Sequence, residues 1–424
     1  MKRVHSSLVM ALLIGACAAP KPQLLVSHPT ELSGDPVRIQ VAHAEGPITL
    51  TATRAWPSRG REGLVQHQAS ATFAPRPNGE IDVALDAPLE GTYEGAHAAG
   101  LFWSMRDTGV LAAEAATEDN VTIGADFDGD GIPDQSVDIT LRNGRDPAQE
   151  FAAGPALPHS FLLLPEGNPN PPVIIIVGGG SGDDRTARSK APAFLARGYA
   201  VFGLAYYSPS IRQAPPQFPD LPQAYIGIPL DQLEVARDWL RARDDVDHTR
   251  IGLYGTSKGA EFVLAAASRM DGFAAIAAMA ASNAIGEGRT AAFEHAQASS
   301  FSWRGAPLPY APDPRQADDH LTYPQARIRA EDIEAPLFVV GGYRDRIWPS
   351  GAMADQIANI RRDGEFETVS LTFEHAGHSL FGDGYAPVPP SDDPETTLAT
   401  RQAQVVVWAE LLAFYARHLE PTQP

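Results

Sequence analysis

The sequence predicts two stacked architectures in one chain, an antiparallel β-sandwich followed by a doubly wound α/β domain, and three observations predict them. From about Val26 to Arg142 the chain is cut into short period-two segments by Gly, Pro, Asn and Asp, the signature of half-buried antiparallel strands. From Val173 onward apolar runs alternate with helical stretches, as parallel sheets require. Between two of these elements lies Gly255-Thr256-Ser257-Lys258-Gly259, entered from the apolar run Ile251–Tyr254 and left through the small-residue stretch Ala260–Ser268. That is a strand, a sharp turn and a helix, the context in which a Gly-x-Ser-x-Gly turn presents a strained serine at the top of a sheet.

In the first region the segments Val37–Val41, Ile48–Ala52, Ile81–Leu85 and Val137–Leu141 read as strands. The runs Gly91-Thr-Tyr-Glu-Gly95 and Gly100-Leu-Phe-Trp-Ser-Met105 place large apolar residues beside a turn, and on their own read as core aromatics. One segment could hold an ion. Asp126, Asp128 and Asp130 stand at alternate positions before Gly131, like the first half of an oxygen-ligand calcium loop. Val137 occupies the place where an EF-hand needs its bidentate Glu, so a calcium loop here would be irregular, completed by Asp134 or Asp138. A polar hairpin tip accounts for the same residues, and a structural calcium is the expected role if an ion binds.

The Pro-rich stretch from Phe151 to Pro172 marks a boundary, giving a sandwich over 26–150 and a catalytic domain over 151–420. Expected strands are Val173–Val177, Tyr199–Leu204, Phe273–Ala280, Leu337–Gly341 and Thr368–Phe373, and expected helices Ala187–Arg197, Leu230–Arg243 and Ala403–His418. The segment from Asn283 to Ala335, rich in Trp, Tyr and Pro, is a candidate cap.

Composition narrows the function. The chain has 424 residues, 44% of them apolar and 20% charged, ordinary values for a folded protein. Acidic residues outnumber basic ones 52 to 33 with no basic run, so the electrostatic footprint of a nucleic-acid binder is missing. At the N-terminus Lys2 and Arg3 precede the apolar run Leu8–Leu13, too short to span a bilayer, and then Ile14-Gly15-Ala16-Cys17. These last residues resemble a bacterial lipobox. Residues 1–17 therefore read as a lipoprotein signal and 18–25 as a tether, placing the mature protein in the bacterial cell envelope, extracytoplasmic and anchored in the membrane through an acylated Cys17. An ordinary signal peptide with a chance cysteine is the alternative.

A serine hydroxyl needs a base to take its proton and a carboxylate to orient that base. After Ser257, Asp345 is the first candidate acid beyond an apolar strand, in Leu337–Ser350. Two histidines, His375 and His378, follow the next strand. His378, past the glycine and farther out on its loop, is the preferred base, with His375 a strand-end polar residue. His295 and His320 lie where no strand is expected to position them. An oxyanion would need N–H donors, one from the backbone of Lys258 and one from the glycine run Gly178–Gly182, with Gly180 the chosen candidate. The Lys258 side chain is expected to be exposed. The glycine run lacks the ending of a P-loop and the spacing of a dinucleotide fingerprint, and no cofactor is expected for catalysis.

Taken together, these motifs resemble the acyl-CoA thioesterase and bile acid-CoA:amino acid N-acyltransferase family. The resemblance is carried by the two runs at Gly91 and Gly100 together with Gly178–Gly180, Arg197–Val201, Leu204–Tyr207, Gly255–Glu261, Trp303–Pro309, Trp348–Ser350 and Ala376–His378. It implies an α/β-hydrolase domain behind the sandwich and a triad mapping onto Ser257, Asp345 and His378. Amide-forming members carry cysteine at the nucleophile, so serine here implies hydrolysis of a small-molecule acyl thioester. An extracytoplasmic ester, or acyl transfer to an amine, is the rival reaction, and a catalytically idle surface-binding lipoprotein the rival class. The Asp126 run and the export signal are both departures from that family.

Overall fold

The computed structural model describes residues 20–58, 61–210, 215–312, 323–387 and 393–420, so Cys17 and the signal segment lie outside the described residues. The first region forms two antiparallel sheets. One joins Gln23–Ser27, Arg38–Ala42 and Ile81–Asp82, and the other is built on the long pair Ile48–Pro57 and Leu64–Phe73. Their inner faces alternate as the sequence does: Ile39 and Val41 from one sheet share a core with Leu50, Ala52, Val121 and Ile123 from the other. Ile81–Leu85 is strand only over its first two residues. Asp82 then turns the chain, accepting the Ala84 N–H at 3.0 Å through its side chain and the Leu85 N–H at 2.9 Å through its carbonyl.

The second region is an eight-stranded sheet. Its strands are β1 (Gln149–Ala152), β2 (Phe161–Leu164), β3 (Pro172–Val177), β4 (Ala200–Leu204), β5 (Asp247–Thr256), β6 (Ala275–Met279), β7 (Leu337–Gly342) and β8 (Thr368–Phe373). Their spatial order is 1-2-4-3-5-6-7-8, parallel from β4 to β8, with β1 and β2 antiparallel at one edge. This is the α/β-hydrolase arrangement. Strand β3 shows why the sequence reads as a continuous apolar run. Val173, Ile175 and Val177 enter the core on one face and Ile174 and Ile176 the core on the other, all with no exposed surface. Helices α2 (Gln232–Arg241), α3 (Lys258–Ala267) and α4 (Ser350–Arg361) cover the first face. Helices α1 (Arg185–Leu195) and α5 (Pro394–Leu419) cover the second. Helix α5 begins nine residues before the expected Ala403 because Asp393 caps it, its carboxylate accepting the Thr396 N–H at 2.9 Å, with Pro394 in the first turn.

The two regions meet along the segment between β8 and α5. Tyr385 in that segment joins the sandwich core and stacks on Phe102 at 4.9 Å. Arg54, only 1% exposed, donates to the carbonyls of Tyr385 at 2.9 Å and Glu118 at 2.6 Å. Ser33 donates to Asp383 at 2.6 Å, and Arg401 of α5 donates to the Met105 carbonyl at 2.8 Å. The aromatic motif at Gly100 is thus core, as its residues suggest, and also a seat for the segment that follows His378.

Replacing Arg54 by Met keeps the apolar stem but strands two carbonyls. The expected loss is about 2–3 kcal/mol of stability, seen as a lower thermal midpoint. An unchanged midpoint would mean that water satisfies both carbonyls and that the arginine is not a strut.

Candidate active site

Strand β5 enters helix α3 with Ser257 alone between them. Its backbone has φ +53° and ψ −121°, a region that side chains normally avoid and that costs about 1–3 kcal/mol. The surroundings hold it there. The Ser257 N–H donates to the Met279 carbonyl on β6 at 2.8 Å, and its own carbonyl accepts from Ala260 at 2.9 Å and Glu261 at 3.1 Å. The flanking glycines are required by contact. A Cβ on Gly255 would lie 2.4 Å from the Gly259 carbonyl oxygen, and one on Gly259 would lie 2.3 Å from the carbonyl oxygens of both Val177 and Gly178.

Ser257 Oγ lies 2.8 Å from Nε2 of His378, whose Nδ1 lies 2.7 Å from Oδ2 of Asp345. With the carboxylate accepting the hydrogen bond from Nδ1–H, Nε2 is the nitrogen left to accept from the serine. The Asp345 side chain is fully buried. It also accepts from Ser350 Oγ at 2.6 Å and from the Ile347 N–H at 2.8 Å, so its lone pairs are aimed before any substrate arrives. Trp348 sits edge-on to the imidazole at 5.3 Å and is fixed by donating to the Ala280 carbonyl at 3.1 Å. His378 is steadied through its backbone too, since the Gly377 N–H donates to Thr400 and Gln404 donates to the Ser379 carbonyl, both side chains on α5.

Of the other histidines, His375 is exposed and apart from this relay. His295 pairs with Glu287 at 2.6 Å in a small antiparallel ladder of the candidate cap, so a strand does position it, contrary to expectation. His320 lies outside the described residues. The glycine run lies directly over the elbow. Gly179 is the member packed on the serine, where an added Cβ would lie 3.2 Å from Ser257 Cβ; Gly180, the candidate donor, is exposed with open space around it. Lys258 opens α3, so its N–H belongs to the first turn, where donors have no intrahelical partner.

The Lys258 side chain corrects the sequence reading. It is 15% exposed, not a surface group. Its Nζ donates to both oxygens of Glu261 at 2.7 and 2.8 Å and faces the rings of Tyr225 and Phe301 at 5.3 and 5.2 Å. Glu261, fully buried, also accepts the Gly286 N–H of the candidate cap at 2.8 Å, so the pair ties the elbow helix to that segment. Burial pushes the Lys258 pKa down, opposed by the Glu261 charge. A charged pair three residues apart beside an elbow reads in a sequence as two side chains in water; only the aromatic neighbours, far away in the chain, make it a buried tie.

In the sandwich, oxygens of Asp126, Asp128 and Asp130 lie within 4.8 Å of one another, the only such acidic or histidine group among the described residues. Asp126 accepts the N–H groups of Gly129 and Gly131, and Asp130 that of Ile132. Burial works against ionising Asp126, yet these backbone donors hold its carboxyl below the usual range. Asp134 and Asp138 do not join the group: Asp134 accepts from the Phe127 N–H and Asp138 from Thr122.

Comparison with known proteins adds to this geometry. Residues 35–123 match the family description "Acyl-CoA thioester hydrolase/BAAT N-terminal region", and residues 228–392 match "BAAT / Acyl-CoA thioester hydrolase C terminal". The chain is 24% identical to the human mitochondrial acyl-coenzyme A thioesterase 2 over 91% of this chain and 82% of that one. It is 24% identical to human acyl-coenzyme A thioesterase 1 over 91% and 94%. Against the rat mitochondrial acyl-coenzyme A thioesterase 2 it is 29% identical over 54% and 49%.

Because the atoms facing Gly259 are backbone carbonyls, which cannot swing aside, Gly259→Ala is expected to unfold the elbow or prevent soluble expression, a loss of about 3 kcal/mol or more. A well-folded Gly259→Ala protein with an unchanged thermal midpoint would contradict the close approach described here.

Proposed function

The chain belongs to the acyl-CoA thioester hydrolase and BAAT family and is a hydrolase, and from that premise we propose that it cleaves acyl thioesters through an acyl-enzyme on Ser257. The observation that carries the reading is the continuous relay of Ser257, His378 and Asp345 at 2.8 and 2.7 Å. In this reading Ser257 Oγ attacks the acyl carbonyl while His378 Nε2 takes its proton, and Asp345 steadies the imidazolium. The oxyanion takes the N–H of Lys258 and an N–H of the glycine run. The C–S bond breaks, the thiol leaves with the proton from His378, and a water activated by the same nitrogen then frees the acid and restores the serine.

Acyl-CoA is the substrate suggested by the relatives' names. The N-terminal run ending at Cys17 favours a second substrate class on the same serine, an extracytoplasmic acyl ester or thioester, because an exported lipoprotein would meet little acyl-CoA. We further propose that mature Cys17 is acylated and that Cys17→Ser releases the protein from membranes. Mass spectrometry of the mature N-terminus checks this, and a free N-terminus beyond residue 17 would end it.

Ser257→Ala is expected to keep the thermal midpoint and lower kcat on the order of 10⁶-fold, with His378→Ala similar and Asp345→Asn about 10⁴-fold. His375→Ala is expected to stay within about 3-fold of the parent. Steady-state assays on acyl-CoAs, acyl esters and acyl-amine transfers check the series and choose between the substrate classes. Near-native turnover by Ser257→Ala on the best substrate would rule the mechanism out.

A further inference from the structure

We propose that Tyr206 is a positioning residue for the oxyanion site, holding the carbonyls of Gly178 and Gly179 so that the N–H groups of Gly179 and Gly180 face the space beside Ser257. The inference rests on the hydrolytic reading above and names a residue that the triad does not include.

Tyr206 follows β4 and has no exposed surface. Its hydroxyl lies 2.7 Å from the Gly178 carbonyl oxygen and 3.1 Å from that of Gly179, a single donor shared between two successive peptides. Tyr225 Oη stands 3.5 Å away and can donate to Tyr206 in turn. The loop is gripped from the other side as well. The N–H groups of Tyr206 and Tyr207 donate to the Gly182 carbonyl at 2.9 and 3.3 Å, and the Gly182 N–H donates to that of Gly179 at 3.0 Å.

Peptide planarity turns this anchoring into aim. In a trans peptide the C=O and the following N–H point in opposite directions, and the chain has no cis peptide among the described residues. Fixing the Gly178 and Gly179 carbonyls toward Tyr206 therefore directs the N–H groups of Gly179 and Gly180 away from it. Neither N–H has a protein partner among the described residues, although Gly179 is buried. A buried N–H without a partner is rare enough to need an explanation. Gly179 also packs against the serine itself, so a developing oxyanion at Ser257 is the group within reach that would satisfy it.

The tyrosine is suited to the task. Its ring lies 5.0 Å from Phe262 on α3, which begins at the nucleophile, so loop and elbow are referred to the same helix. Burial pushes its pKa up, with a smaller opposing effect of the Tyr225 hydroxyl, so the phenol stays a donor across the working range of a histidine base.

The test uses the full chain with Tyr206→Phe, which removes the hydroxyl and leaves the ring. Expected is a fall in kcat of about 10–100-fold with KM within about 3-fold, because the donors act on the transition state and not on bound substrate. Affinity for an alkylboronic acid, which forms a tetrahedral adduct on an active serine, should fall by the same factor as kcat/KM. p-Aminophenylalanine at position 206, which retains a donor at similar reach, should keep kcat within about 3-fold. Two results would overturn the inference: unchanged kcat in Tyr206→Phe, even with a lowered thermal midpoint, or lost turnover in the folded p-aminophenylalanine variant. Turnover by Ser257→Ala in the same assay is the separate result that removes the hydrolytic reading, and this inference with it.

Discussion

The approach of Gly259 to the carbonyls of Val177 and Gly178 is the contact on which the rest of the site depends. It brings the first turn of α3 against the end of β3, and so puts Ser257 and the glycine run within one van der Waals layer of each other. The strain at Ser257 follows from it. Ser257 must turn at φ +53° because the chain has one residue in which to pass from a strand to a helix pressed on its neighbour. The cost of that turn is offset by the surrounding close packing, since α3 carries nine buried residues over ten positions. A serine that would relax on a surface loop is held with its hydroxyl outward.

The acid and the base are supplied differently. Asp345 belongs to a turn that its own carboxylate organises, through Ser350 and the Ile347 N–H. His378 has no such local frame. Its loop is tied to α5 by Thr400 and Gln404, and the continuation through Asp383 and Tyr385 is held by Ser33, Arg54 and Phe102 of the sandwich. One partner of the relay is thus fixed by the sheet, one by its own turn and one by the rest of the molecule.

These differences explain what was legible in the sequence. The elbow, the strands β3 to β8 and the chain order of Ser257, Asp345 and His378 rest on local patterns: an apolar run, a turn residue, a side chain just beyond a strand. The choice of His378 over His375 was readable because Gly377 lets the loop travel before the base. The Lys258–Glu261 tie was not readable, because Tyr225, Phe301 and Gly286, which make it buried, are brought in by the fold. Nor was Tyr206, whose partners are carbonyl oxygens and so carry no residue signature at all. The run at Asp126 read as three aspartates completed by Asp134 or Asp138, and the fold keeps the three together while Asp134 accepts the Phe127 N–H and Asp138 the Thr122 hydroxyl.

The clamp on the His378 loop also makes the two halves of the chain thermodynamically answerable to one another. Linkage between sites is reciprocal: if an ordered sandwich lowers the entropy of the base, then a ligand that immobilises the imidazole must, by the same free energy, protect the sandwich from opening. The strands around Arg54 lie in the separately matched N-terminal region, residues 35–123, whereas the C-terminal match spans residues 228–392. They would nonetheless exchange their amide protons more slowly when the serine is occupied. In this chain the sandwich would then act as a distant reporter of occupancy at Ser257, and a lesion there would be felt as a less ordered His378 before it was felt as unfolding.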